Sequence, residues 1–289
     1  MSRLNFHHGA LLKQMGCSLV YTDDQKRHFG QYTRAFTLAD PPQEVAKAIR
    51  GSHCIHVHPD GFDYWIDVLI VLQEKSPLQI QLFCITGSDY TIRDEHIQYW
   101  IAAFPAAKFW IQNYCGSFSQ CTMLPIGCNF AHEITEKHKI RTLIISHFNE
   151  LNSEERSLLK QLLDVTPELQ QYRMPHQSAA EYSEQLGKSK FSVCPTGNGF
   201  DTMRFWESLS EKSIPIVLQN DFTRNLSLQY PNLPFVMVSG WNELLPWSQQ
   251  DLDALYEFLL QRYSDFSCVT ESYWLEKLYS VLSKQALEC

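Results

Sequence analysis

Residues 190–219 have the sequence KFSVCPTGNGFDTMRFWESLSEKSIPIVLQ, and this stretch decides the fold that we predict. Its apolar run at 191–194 predicts a strand, and a turn with two glycines follows it. A helix over 201–211 and a second strand over 215–218 complete a strand–turn–helix–strand unit. Such units are typical of α/β proteins with parallel sheets.

The turn of this unit predicts an anion-binding site. Gly197 and Gly199 have no Cβ, so their backbone N–H groups can approach a phosphate closely. The following helix directs the positive end of its dipole at the same point. Arg204 and Glu207 share one helix face, where they can bind a diphosphate and a ribose diol. The same pattern also occurs in plain α/β units, where such a pair is a solvated ion pair.

Strand-like runs alternate with helical patterns along the rest of the chain. The predicted strands are 18–21, 54–57, 79–85, 108–112, 142–146, 171–174, 191–194, 215–218 and 235–238. The predicted helices are 42–49, 65–74, 92–103, 153–163, 179–186, 202–211, 250–263 and 272–287. The alternation predicts parallel sheets with helices on both faces.

The polar segment 131–139 is the best boundary between two halves. We therefore predict an N-terminal α/β domain at 1–138, a C-terminal α/β domain at 139–271 and a final helix at 272–289.

Composition narrows the function classes. The net charge of −8 argues against a general nucleic-acid binder, because phosphate backbones require basic surfaces. No apolar run reaches the roughly 18 residues of a membrane span, and the N-terminus lacks the apolar core of a signal peptide. Nine cysteines without a CxxC pair indicate reduced, buried thiols, so we expect a cytoplasmic protein.

The segment 190–217 resembles the C-terminal signature of exostosin-like glycosyltransferases, in which Pro-x-Gly-x-Gly precedes Asp-Thr-x-Arg-x-Trp-Glu and Ile-Pro-Ile-Val. The matching residues are Pro195, Gly197, Gly199, Asp201, Thr202, Arg204, Trp206, Glu207 and 214–217. Further likenesses, at 86–90, 110–113, 124–127, 233–235 and Trp241, extend the resemblance over about residues 84–247. Gly87 departs from the family's usual Asn, and Lys212-Ser213 replaces Gly-Thr or Gly-Cys as a different helix C-cap.

The resemblance implies two Rossmann-like domains facing across a cleft, the GT-B type of glycosyltransferase, with the final helix at 272–289 crossing back to the N-terminal domain. It implies a nucleotide-sugar donor, a glycan or other hydroxyl acceptor, inversion at the anomeric carbon, and a soluble bacterial or viral member. The donor-binding residues would be Pro195, Gly197, Asn198, Gly199, Asp201, Thr202, Arg204 and Glu207. We expect no cofactor and no metal, because the only Asp-x-Asp, at 251–253, opens a helix instead of ending a strand.

Candidate catalytic residues follow predicted strands of the N-terminal half, since ligands of doubly wound sheets bind beyond the carboxyl ends of strands. Inverting transfer needs a group that removes the acceptor's proton. Asp89 is our first candidate, because it matches the family's Ser-Asp-Tyr. Asp60 is the second candidate, and the aspartates at 23–24 are the third. The residues expected to contact the acceptor or the cleft are His58, Ser88, Tyr90 and Asn113.

Two other functions stay open. His56, His58 and Asp60 have the spacing of a metal-dependent hydrolase site, which would bind zinc or manganese. A non-catalytic nucleotide- or glycan-binding protein is the other, and the Gly87 departure is the feature that favours it.

Overall fold

A computed structural model describes residues 8–128, 137–150, 153–263 and 265–285. The described residues form two compact units. The N-terminal unit holds those of His7–Leu124 and Tyr273–Cys289, and the C-terminal unit holds those of Pro125–Ser272. The expected domain boundary at 138/139 lies inside the C-terminal unit.

Within the described residues, ten strands form two sheets, one in each unit. They are β1 Cys17–Leu19, β2 Ala35–Phe36, β3 Cys54–Val57, β4 Leu82–Ile85, β5 Lys108–Ile111, β6 Cys121–Met123, β7 Arg141–Ile144, β8 Ser189–Val193, β9 Ile214–Leu218 and β10 Val236–Val238. The helices are α1 His8–Leu12, α2 Asp23–Phe29, α3 Pro42–Arg50, α4 Phe62–Lys75, α5 Asp94–Ala103, α6 Glu154–Val165, α7 Pro167–Gln170, α8 Ala179–Gly187, α9 Met203–Ser210, α10 Asp221–Gln229, α11 Gln249–Arg262 and α12 Glu271–Gln285.

The N-terminal sheet has six parallel strands in the order β2-β1-β3-β4-β5-β6. Strand β1 pairs with β2 on one side and β3 on the other, so the strand order reverses there. Its strands are apolar because both faces are covered. Phe83 of β4 stacks on Phe109 of β5, with ring centroids 5.2 Å apart. Trp274 of α12 is fully buried and packs edge-on against Trp110.

The C-terminal sheet has four parallel strands in the order β10-β9-β8-β7. Its core joins Phe191 and Ile216 of the sheet to Leu159 of α6 and Tyr256 of α11. Both units therefore confirm the predicted α/β class with parallel sheets.

The predicted strand at 171–174 is wrong. Two of its amides complete the end of α7 instead, because Tyr172 N donates to Leu169 O and Arg173 N donates to Gln170 O. Only an isolated bridge joins Arg173 to Ile145. None of the helices in the described part of the chain is long and apolar enough to cross a bilayer.

Candidate functional site

In the glycine turn after β8, the first glycine amide forms a hydrogen bond within the turn. Gly197 N donates to Gly199 O at 3.1 Å, so this N–H is not available in the way that the sequence pattern predicted for an anion. A Cβ at Gly197 would lie 3.1 Å from Nη2 of Arg156, a contact tighter than most Cβ atoms make. The missing side chain therefore makes room for an arginine of α6.

Arg204 of α9 holds the loop that follows β7. Its Nη2 donates to His147 O at 2.8 Å, its Nη1 donates to Ser146 O at 3.5 Å, and its guanidinium lies 5.9 Å from the centroid of the Phe148 ring. The side chain is half-buried, and it also lines a cavity. The guanidinium thus has a fixed position at the carboxyl end of the sheet.

Arg156 is the second guanidinium of this cavity, and the sequence analysis did not select it. Ser153 caps α6 by accepting from Arg156 N, and both Ser153 Oγ and Arg156 Nε donate to Thr196 O, at 3.1 and 2.8 Å. Burial, and next the like charge of Arg204, lower the pKa of Arg156. Because both guanidiniums line one cavity and repel each other, an anion that binds between or beside them is favoured.

The cavity itself has a volume of about 430 Å³ and lies wholly in the C-terminal unit. Its lining residues come from the loop after β7, the segment before α8 and three helices: Ser146, His147, Phe148, Asn149, Arg156, Pro175, His176, Gln177, Ala179, Tyr182 and Arg204. The rings of His147 and His176 meet edge to face, 5.4 Å apart. Aromatic, imidazole, amide and guanidinium groups thus converge on one space.

Several residues of the exostosin-like signature support the cavity from the protein interior and do not line it. Asp201 is 3% exposed and accepts from Trp206 Nε1 at 2.5 Å and from Ile126 N at 2.7 Å. Glu207 is 6% exposed; burial raises the pKa of the Tyr182 hydroxyl, the charge of Arg204 lowers it, and the charge of Glu207 adds a smaller increase. Thr202 occupies the N-cap position of α9 without a capping hydrogen bond from its side chain. Pro195 and Gly199 are buried, Asn198 is exposed, and none of the three lines the cavity.

His56 of β3 and His58, which directly follows this strand, do not offer metal ligands. Nε2 of His56 can only donate to Thr86 O, at 3.2 Å, so Nδ1 accepts from Ser18 Oγ. Burial lowers the pKa of His56 to about 3. Nδ1 of His58 accepts from Asp60 N, and Nε2 donates to Gly87 O at 2.9 Å. Burial also lowers the pKa of His58, so both rings are neutral with both nitrogens in use.

Asp60 does not complete a metal site with these histidines. Its carboxylate accepts from Gln25 Nε2 at 2.8 Å, and its side chain is 47% exposed. Across the described residues, no three His, Cys, Asp or Glu side chains could together hold a metal ion. This geometry counts against the hydrolase alternative, because a metal needs the imidazole lone pairs that the fold already uses.

The loop after β4 is fixed by side chains from the end of β5. Gln112 Oε1 accepts from Thr86 Oγ1 at 2.7 Å and from Gly87 N at 3.2 Å. Asn113 is buried with a φ of 55°, and its Nδ2 donates to Ser88 O at 3.3 Å. The loop presents Asp89 to solvent and Tyr90 half to solvent.

The sequence analysis gave a site role to Arg204 alone among the lining residues, and those it missed include His147, Arg156, His176 and Tyr182. His147 directly follows the predicted strand 142–146, so the rule that we applied to the N-terminal half would have found it. Arg156 and Tyr182 lie on predicted helices that carry no signal for binding. His176 lies in a segment that we assigned no element or role.

The chain thus has two α/β units with parallel sheets, and a cavity with two arginines lies in the C-terminal unit. A family model described as the RXYLT1 C-terminal domain matches residues 117–262, half of the chain. The chain therefore belongs to the RXYLT1 C-terminal domain family, in agreement with its exostosin resemblance. The matched range includes every lining residue of the cavity.

No curated protein matches this chain, whereas solved structures do. An alpha-glucosyltransferase in complex with UDP and a 13-mer DNA containing a HMU base has a TM-score of 0.34 and 8% identity, over 93% of this chain and 95% of that one. WaaG, a glycosyltransferase involved in lipopolysaccharide biosynthesis, has a TM-score of 0.33 and 10% identity, over 93% of this chain and 98% of that one.

Proposed function

We propose that this protein transfers a sugar from a nucleotide-diphosphate donor to a hydroxyl of a glycan, with inversion and without a metal. The observation that carries the proposal is the pair of guanidiniums, Arg156 and Arg204, on one cavity of about 430 Å³. That volume lies within the roughly 300–1,000 Å³ of small-ligand sites. Family membership supports the same reaction class.

The two arginines supply the charge that a departing diphosphate requires. As the acceptor oxygen bonds to the anomeric carbon, the bond from that carbon to the diphosphate oxygen breaks, and negative charge grows on the nucleotide product. Guanidiniums already held in place by Thr196 O and His147 O stabilise this charge without reorganising. The Tyr182 hydroxyl, whose pKa is raised by burial, stays protonated and can donate to the same group.

Glu207 takes a different role from the one that its position in the signature implied. It is buried and does not line the cavity. Because its side chain is buried outside the cavity lining, we assign Glu207 to supporting α9 instead of binding the ribose. The ribose and base then contact the loop residues Phe148, Asn149 and His176.

Asp89 remains our proposed base, with Asp60 second. Asp89 is exposed at the carboxyl end of β4 on a loop that Gln112 and Asn113 fix, so it can remove the acceptor proton. Asp60 is partly engaged by Gln25. We also propose that the protein works in the cytoplasm, because the eight cysteines within the described residues are all free thiols.

A thermal-shift screen over UDP, GDP, CMP and ADP tests the donor site. We expect at least one diphosphate to stabilise the protein, and Arg204→Ala and Arg156→Ala each to weaken its binding about 10- to 100-fold, the loss of one charge-assisted hydrogen-bonding group. Arg141→Ala is the matched control, because Arg141 begins β7 at the opposite end of the strand. Unchanged affinity in both cavity variants would refute the assignment.

A further inference from the structure

A second cavity, of about 480 Å³, lies in the N-terminal unit. Tyr21 lines it just beyond β1, and Pro59, Asp60 and Gly61 line it directly after β3. These two strands flank the point where the strand order reverses. In doubly wound sheets, ligands bind at the carboxyl ends of strands at this switch point. The position therefore indicates a ligand site before any side chain is considered.

Three tyrosines line this cavity and remain exposed: Tyr21 at 49%, Tyr64 at 43% and Tyr90 at 51%. A tyrosine offers a rigid aromatic face and a polar tip, and it loses little conformational entropy on binding. A pyranose ring has the complementary surface, since one face carries C–H groups and its rim carries hydroxyls. The site is rigid, because Trp65 Nε1 donates to Val20 O at 3.1 Å and joins α4 to the end of β1.

The polar groups of the cavity are acceptors and neutral donors. Asp60 and Asp63 contribute carboxylates, which accept hydrogen bonds from sugar hydroxyls. Nδ1 of His96 accepts from Arg93 N, so its Nε2 donates to the Tyr90 hydroxyl at 2.9 Å, and the hydroxyl's own hydrogen is left to donate. No lysine or arginine is among the lining residues. Phosphates, uronates and sialates would meet uncompensated like charge here.

We propose that this cavity binds a neutral saccharide, the acceptor of the reaction, on the faces of Tyr21, Tyr64 and Tyr90. The inference rests on the proposed function and gives it a substrate class. It differs in chemistry from the C-terminal cavity, where the charged lining groups include two arginines and an anionic ligand fits.

Calorimetric titration of the full chain tests this with maltotriose, cellotriose and N-acetylchitotriose as neutral probes and trigalacturonate and sialyllactose as anionic ones. At least one neutral trisaccharide is expected to bind, and both anionic sugars at least tenfold more weakly. Tyr64→Ala and Asp63→Asn should each weaken the neutral sugar about tenfold. Tyr99→Ala is the matched control, because Tyr99 is 67% exposed on α5 and lies outside the cavity.

The inference would be overturned if no neutral trisaccharide binds at about 10 mM. It would also be overturned if an anionic sugar binds as tightly as a neutral one, or if Tyr64→Ala binds the neutral sugar as tightly as Tyr99→Ala does. Unfolding curves of each variant confirm that its fold is kept. Titration of UDP into the same samples separates the two proposals. Saccharide binding without any nucleotide binding refutes the proposed function alone, and nucleotide binding without saccharide binding refutes this inference alone.

Discussion

Replacing Gly87 by alanine or by asparagine, the residue that exostosin-like proteins usually have there, should destabilise the N-terminal unit strongly. Gly87 has a φ of 102°, where side chains are rarely accommodated. A Cβ built on it would lie 2.5 Å from Cζ of Phe29 and 2.9 Å from Cδ2 of His58. Both neighbours are buried, and His58 is held by its bond to Gly87 O.

The magnitude follows from two separate costs. The left-handed backbone costs a residue other than glycine about 1–3 kcal/mol. Overpacking against Phe29 and His58 adds about 1–3 kcal/mol, since neither ring can move without displacing the loop or the sheet. The two costs sum to about 2–6 kcal/mol, and a unit of this size loses roughly 3–4 °C of Tm for each kcal/mol, so Tm should fall by about 6–24 °C.

Urea unfolding followed by tryptophan fluorescence, together with a thermal scan, would measure the change. Gly51→Ala is the control, because a Cβ there would meet only ordinary contacts, at 3.5 and 3.8 Å, with a φ of −85°. If Gly87→Ala were as stable as Gly51→Ala, our account of this loop would be wrong. The Gly87 departure would then again favour a degenerate site, because packing would no longer explain it.

Three further predictions concern other parts of the chain. Lys212 has a φ of 55° at the end of α9, so Lys212→Gly should stabilise the protein by about 1 kcal/mol in urea unfolding, whereas Lys212→Ala keeps the strain and should gain nothing. Burial lowers the pKa of His56 to about 3, and the pKa returns to 6.5 on unfolding, so the folded protein keeps this ring neutral. The free energy of unfolding should therefore fall as the pH drops below 6.5, by about 2 kcal/mol at pH 5. A flat unfolding free energy between pH 7.5 and 5 would contradict this assignment. Asp89→Asn should lower kcat for sugar transfer at least 100-fold with little effect on nucleotide binding, and undiminished transfer would remove Asp89 as the base.

The fold was predictable where burial imposes a strong period on the sequence. The strand at 54–57 and the helix at 42–49 agree with β3 and α3 within one residue, since their buried positions other than His56 are apolar and glycine or proline bounds the helix. Helix α2 was missed because Phe29 is its only buried residue, so it has no apolar stripe. Its signal was local instead: Thr22 forms a capping box with Gln25, two acids follow, and Lys26 and Arg27 lie in the last turn.

The candidate site was predictable only in part, because most residues of the signature 190–217 support the cavity and only Arg204 lines it. Asp201 ties α9 to the loop at Ile126, and Lys212 ends the same helix with two capping bonds, from Lys212 N to Leu209 O and from Ser213 N to Ser208 O. Arg204 alone projects from this frame into the cavity. Every other polar group that lines the cavity comes from sequence with no motif at all.

The signature residues that support the cavity and the loop residues that line it should respond differently to substitution. The frame positions Arg204, and its buried, hydrogen-bonded groups such as Asp201 tolerate little change. The walls, by contrast, are exposed loop residues such as His147, Asn149 and His176, which can change without disturbing the core. We therefore expect exchanges at these three positions to alter which nucleotide stabilises the protein while its unfolding free energy stays within about 0.5 kcal/mol. Exchange of Asp201 should do the reverse: stability would fall by about 2–4 kcal/mol, because its partners Trp206 Nε1 and Ile126 N would be left buried and unbonded.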